Sequence, residues 1–318
     1  MIRLLMIIPL LVCPAAWADA QTVGPNDRRA ALMETAQLIE KRWVQADRAA
    51  AIAKTLRDDA AADRFAAAGS AVDFAALVTT RLRDISGDGH FALRLRGGAD
   101  PAAEEEQEEL DRWYGPAVNH GFEHVGRLEG GVGYLDLRVF APVATASDLA
   151  SSAMNLLAES PALIIDLRMN GGGYGDMTRL LAAYLLDRRT EMSGEFDRPT
   201  GRMARYFTPA RVPGRRFGGS KPVFILVSKR TFSAAEAFAY DLQAMGRATI
   251  VGERTGGGAH PYVDHRVGGL FVLALPEARS VNPITKTDWE GTGVTPDVAV
   301  DAEHALERAL SLADTKRK

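Results

Sequence analysis

The sequence has one cysteine, Cys13, and it falls within the first 18 of 318 residues. Those residues have the form of an export signal. Arg3 gives a positive start, Leu4 to Val12 an apolar run, and Ala16-Trp17-Ala18 a small-x-small cleavage site, with a second possible cut after Ala20. The run is too short to span a ~30 Å bilayer core as a helix, so no stable membrane anchor is expected. The bulky Val12 suits a lipid-attachment signal at Cys13 poorly. Once the segment is removed no thiol is left, which excludes disulfides and makes an oxidising compartment harmless. A periplasmic or secreted mature chain is the expectation. A large excess of either charge is also missing. At a net charge of −3, neither nucleic acid nor an anionic membrane is indicated as a partner. Histidine and carboxylate clusters with metal-ligand spacing are absent, so neither a metal nor another cofactor is expected.

Proline is absent between Pro25 and Pro101, and alanine is dense there, both favourable to helix. Ala31, Leu32, Ala36, Leu38, Ile39 and Trp43 form one apolar stripe, Ala49 to Leu56 a second, and Phe74, Leu77, Val78, Leu82 and Ile85 a third. These predict a small N-terminal three-helix domain. Ser86-Gly87-Asp88-Gly89-His90 closes it before a short alternating strand, Phe91 to Arg96. From Gly97 the chain is linker-like, with the acidic run Glu104-Glu105-Glu106-Gln107-Glu108-Glu109. No stretch of domain size lies between Arg96 and Gly121, which leaves no room for a separate peptide-binding domain. The expected divisions are 1–18 signal, 19–96 helical domain, 97–115 acidic linker and 116–318 α/β core.

In the core, strand and helix alternate, as in an α/β fold. Two strand-to-helix junctions stand out. Ala162 to Arg168 reads as a buried strand and runs into Met169-Asn170-Gly171-Gly172-Gly173, after which Met177, Leu180, Leu181, Tyr184 and Leu185 share a helix face. Consecutive glycines let a backbone turn sharply and approach a ligand closely. No Gly-Lys-Ser or Gly-Lys-Thr follows, so this is not a phosphate loop. At the second junction, the strand Val223 to Val227 precedes Thr231-Phe232-Ser233-Ala234-Ala235-Glu236. A helix carrying Ala234, Phe238, Leu242 and Met245 follows and stops at Gly246. Ser233 thus sits at a helix N-terminus, where it is either an ordinary N-cap or a nucleophile beside free N–H groups. Between Arg188 and Lys221 the pattern dissolves into arginine, proline and glycine, which predicts a long surface loop.

Taken together, Asp166 to Gly173, Ser233 to Glu236, Val251 to Gly258 and Gly291-Thr292-Gly293-Val294-Thr295-Pro296-Asp297 resemble the carboxy-terminal processing peptidases. That serine peptidase family includes tail-specific proteases, the tricorn core and photoreceptor retinoid-binding modules. The resemblance covers roughly residues 116–300. It implies a crotonase-like α/β core, a polypeptide substrate and acyl-enzyme chemistry with Ser233 as nucleophile. The oxyanion hole would be built from the N–H groups of Ala234 and of Gly172 or Gly173. Family members with a serine–lysine pair carry a lysine in the turn where this chain has Gly258. His90, in its Asp-Gly-His turn, resembles the histidine of the tricorn-like branch and is the expected base, with His260 the alternative. Glu290, just before Gly-x-Gly-Val, resembles the acid that orients that histidine, and Gly89 stands where the branch has an additional serine. Glu236 is expected to favour the helix dipole rather than act as a base. A second reading is a non-catalytic module on the same fold that binds an apolar ligand or peptide.

Overall fold

The computed structural model describes residues 22–96 and 111–315; the expected export signal and the acidic run lie outside them. Three helices come first, α1 (Pro25–Arg42), α2 (Ala46–Ala61) and α3 (Ala71–Ser86). Pro25 starts α1 at a position where its missing N–H costs nothing, and Lys41 and Arg42 end it beside the negative end of the dipole. Ser70 caps α3 by accepting from the Asp73 N–H at 3.0 Å, and Gly87, at φ +72°, closes it. That left-handed cap turns the chain out of the helix, and Asp88-Gly89-His90 follows at once. Strand β1 (Ala92–Leu95) comes next.

The apolar stripes of the helices do not close on themselves. Ala36, Ile39, Leu56, Phe74 and Leu82 share one core with Val267, Phe271, Leu273 and Leu275 from the far end of the sequence. The latter lie on β9 (Tyr262–Val267) and β10 (Phe271–Pro276), which form an antiparallel sheet in the order β1-β10-β9. Burial of a side chain such as Phe74 contributes about 1.5–3 kcal/mol, so this shared core ties the helical layer to the strand that follows His260.

The second layer is a six-stranded sheet in the order β12-β8-β7-β4-β3-β2. Its members are β2 (Phe122–Arg127), β3 (Gly133–Leu137), β4 (Leu163–Asp166), β7 (Val223–Val227), β8 (Thr249–Gly252) and β12 (Val298–Ala299). All neighbours are parallel except β2 and β3. The central strands are buried on both faces, as continuous Ile, Leu, Val and Phe runs require. Leu163, Ile165, Val223, Ile225 and Ile250 face the helices α4 (Val143–Leu157), α5 (Gly175–Leu185) and α6 (Ala234–Ala244). Ile164, Phe224, Leu226 and Val251 face the opposite way, onto Ala305, Ala309 and Ala313 of α7 (Ala305–Thr315). The period-two alternation of a strand produces this division.

The 188–221 region corrects the sequence expectation of a plain loop. It contains β5 (Glu191–Asp197) and β6 (Arg202–Phe207), which pair with β11 (Ala278–Val281) in the order β11-β5-β6. Much of β6 is exposed, so no apolar alternation marks it in the sequence. Among the described residues, no helix is long and apolar enough to cross a membrane.

Candidate active site

The two strand-to-helix junctions meet at the carboxyl ends of the parallel strands β4 and β7, the usual place for a site in such a sheet. Ser233 holds φ +52° and ψ −121°, a region L-residues rarely occupy and one that costs about 1–3 kcal/mol. Surroundings fix the turn: the Phe232 N–H donates to the Asn170 carbonyl at 3.1 Å, and Gly172 lies flat against Ser233. A Cβ on Gly172 would come within 2.9 Å of the Ser233 Cβ, and its φ of +116° already demands glycine.

The Ser233 hydroxyl lies 3.0 Å from Nε2 of His90. Among the described residues His90 is the histidine in hydrogen-bond reach of Ser233. Its ring is buried, with Phe232 packed at a centroid distance of 4.8 Å. Gly258 permits this approach. A Cβ there would stand 2.7 Å from Cε1 of His90 and would overlap the Phe232 ring, so a side chain at 258 and a histidine at this place exclude one another. Phe232 also explains Gly89, where an added Cβ would come within 3.0 Å of the same ring.

Two backbone N–H groups beside the hydroxyl, those of Gly173 and Ala234, donate to no acceptor among the described residues. The expected contribution of Gly172 is corrected: its N–H is committed to Oδ1 of Asn170 at 2.8 Å. Glu236 is buried and accepts from the N–H groups of Ser233, Gly257 and Gly258 at 2.9, 2.7 and 2.8 Å, and from the Thr255 hydroxyl. It staples the first turn of α6 to the 255–258 loop, a larger structural task than the dipole interaction expected of it.

The acids behind His90 are arranged differently from expectation. Glu290 makes no hydrogen bond to His90. One of its oxygens accepts from the Ala259 N–H at 2.5 Å and lies 3.6 Å from Nδ1 of His260. Asp88, which sequence reasoning left as a turn residue, is the nearer carboxylate, 3.9 Å from Nδ1 of His90. It accepts from the His90 N–H at 3.0 Å, from Nε1 of Trp43 at 3.3 Å and from Nδ1 of His260 at 2.7 Å. His260 therefore holds Asp88 rather than Ser233. The Asp-x-His spacing was the sole local signal for Asp88, because its other partners lie 45 and 172 residues away.

The model of peptidase family S41 matches residues 131–300, more than half of the chain. The chain belongs to peptidase family S41. That family is one of serine peptidases. A carboxy-terminal-processing protease of Bartonella bacilliformis is 29% identical over 180 residues, 55% of this chain. The chain spans 40% of that relative's length. A solved structure described as a putative peptidase from Parabacteroides merdae has the same fold at 18% identity, with a TM-score of 0.60 over 92% of this chain and 97% of its own. The tricorn protease superposes with a TM-score of 0.56 at 14% identity, over 92% of this chain and 37% of its own.

Burial dominates the electrostatics of this S41 site. Desolvation lowers the His90 pKa to about 4 against the opposing pull of Asp88. The ring is therefore neutral at pH 7, the state in which Nε2 can accept a proton. Burial pushes Asp88 upward, but the His260 hydrogen bond and the nearby imidazole charges outweigh it and hold the carboxyl below its usual value. Burial lowers His260, and the Asp88 hydrogen bond with the Glu290 charge reverses that shift and leaves it raised. Glu290 is pushed up to about 7, first by burial and then by the negative charge of Asp88. Donor atoms of Asp88, His90 and Glu290 lie within 4.8 Å of one another, close enough to surround an ion. However, both oxygens of Asp88 already accept N–H donors and Nε2 of His90 faces Ser233, so the set fits a hydrogen-bond network better than a metal site.

Proposed function

We propose that the chain is an exported serine peptidase that hydrolyses polypeptides through an acyl-enzyme, with Ser233 as nucleophile and His90 as base. The reading rests on one observation above all, the 3.0 Å approach of His90 Nε2 to a hydroxyl held on a strained turn at a helix N-terminus. Nε2 takes the proton as Ser233 Oγ attacks the scissile carbonyl. The N–H groups of Gly173 and Ala234 receive the oxyanion, and each such donor is worth about 3 kcal/mol in the transition state. His90 then gives the proton to the leaving amine, and water releases the acyl group by the same route in reverse. Asp88 holds the His90 backbone through its N–H and, 3.9 Å from Nδ1, stabilises the charged imidazole electrostatically. His260 supports Asp88 from behind, and Glu290 lies behind His260 at 3.6 Å, a place further from the chemistry than the resemblance implied for it. The fold supports a crotonase-like core, with α1, α2 and α3 laid over the β9–β10 hairpin.

A fluorophosphonate probe incubated with the purified mature protein should form an adduct on Ser233, located by peptide mass spectrometry. A carrier on the same fold would instead stay unlabelled and bind an apolar ligand saturably, with or without Ser233. For export, intact-mass measurement of the mature protein should place its N-terminus at Asp19 or Gln21. A chain beginning at Met1, or a lipid on Cys13, would overturn that part of the reading.

A further inference from the structure

Beside the nucleophile runs a groove of about 970 Å³ whose lining is unusual for a chain of net negative charge. Five arginines line it, Arg83, Arg94, Arg112, Arg138 and Arg230, against a single carboxylate, Asp264. Two of the five have acidic partners: Arg94 pairs with Asp264 at 2.5 Å and Arg138 with Asp136 at 2.6 Å. Arg83, Arg112 and Arg230 have no carboxylate partner among the described residues. Arg83 is held in place by donating from Nε to the Phe91 carbonyl at 2.8 Å, which fixes its position relative to His90.

The floor between these cations is apolar and open to solvent. Trp113 is 60% exposed, Tyr262 48% and Met169 43%, and all three line the groove. Large apolar side chains left exposed together mark a surface that something covers. The groove is continuous with the candidate active site. It shares Arg83, Tyr114, Gly171, Gly173 and Tyr262 with a smaller pocket that reaches His90 and Ser233. A chain lying across Ser233 therefore extends between the arginines. Guanidinium groups bind carboxylates in a planar, two-pronged geometry, and several together concentrate anionic ligands at a cleft.

We propose that the groove selects polypeptide substrates by their carboxylates, favouring an acidic segment with interspersed apolar side chains next to the scissile bond. The proposal rests on Ser233 being the nucleophile, and it names what that site accepts. The carboxylates are those of Glu and Asp side chains, and the test separates them from a free C-terminus.

Quenched fluorescent peptides of one length are compared, with three Glu or three Gln residues and with a free or amidated C-terminus. The Glu peptide should have a kcat/KM about tenfold above the Gln peptide at 50 mM salt, and the ratio should shrink in 0.5 M salt as charges are screened. A rate that depends on amidation and not on Glu against Gln would overturn the proposal. Arg112→Gln and Arg230→Gln should each bring the ratio toward one, and Arg230→Glu should favour a Lys peptide. Fluorescence anisotropy with the Ser233→Ala protein measures the same preference as binding, so a failed nucleophile assignment leaves this result readable. Equal affinity for all peptides, or a preference that survives both arginine substitutions, would overturn the proposal. So would tight binding of an oligonucleotide that Glu peptides fail to displace.

Discussion

Ser233→Ala is expected to reduce kcat for peptide hydrolysis by about 10⁴-fold or more, with the fold intact. Loss of a serine nucleophile alone removes most of the chemistry that the base and acid contribute, and the remainder comes from binding and the oxyanion hole. The stability side of the substitution follows from the backbone. Ser233 sits at φ +52°, and alanine keeps the Cβ that makes this conformation costly. The Glu236 contact to the Ser233 N–H is a backbone interaction and survives the change. Urea unfolding should therefore place Ser233→Ala within about 1 kcal/mol of the parent, the usual scale for losing a cap. Ser233→Gly should be more stable than Ser233→Ala, because it relieves strain of about 1–3 kcal/mol while losing about 0.5–1 kcal/mol to chain entropy. Both variants should be equally inactive. An alanine variant that hydrolyses peptide at the parental rate would remove Ser233 from the mechanism, and a glycine variant less stable than alanine would remove the strain argument.

The parts of this site legible in the sequence are those encoded locally. A β-branched and aliphatic run followed by Ser-Ala-Ala-Glu gave β7 and α6 within a residue or two, because one hydrophobic run and one helix start lie next to each other. Gly246, expected as the stop of α6, has φ +64° and closes that turn. The glycine turn after β4 was equally visible, but not which amide it offers, since that depends on the Asn170 side chain folding back onto Gly172. Asp88 illustrates the opposite limit. Its neighbours in sequence say turn, and its function as an acceptor arises from Trp43 just after α1 and His260 before β9. The β5–β6 ribbon was missed for a related reason, since β6 is arginine-rich and largely exposed and the ribbon gains its order from the pairing of β5 with β6 and with β11.

The choice between the two histidines is the remaining large effect. His90→Ala should lower kcat/KM by about 10²–10⁴-fold, the usual contribution of a general base. His260→Ala should cost about tenfold or less, because it reaches the reaction through Asp88 and leaves the His90–Ser233 contact in place. The pH dependence separates the roles further. His90 acts when neutral, and burial holds its pKa at about 4, so the parental kcat/KM should stay level through pH 5 and fall only as pH drops through about 4. Ordinary histidine, with a pKa near 6.5, would have lost most of its activity by pH 5. Imidazolium at His260 lowers the His90 pKa, and Asp88 raises it. Removing His260 should thus move the acid limb upward, whereas Asp88→Asn should move it down and also cut kcat by removing the charge that stabilises the imidazolium. Circular dichroism checks that each variant is folded. An unchanged rate in His90→Ala together with a hundredfold loss in His260→Ala would exchange the two assignments, and an acid limb at pH 6.5 in the parent would show that the base is more exposed to solvent than His90 is here.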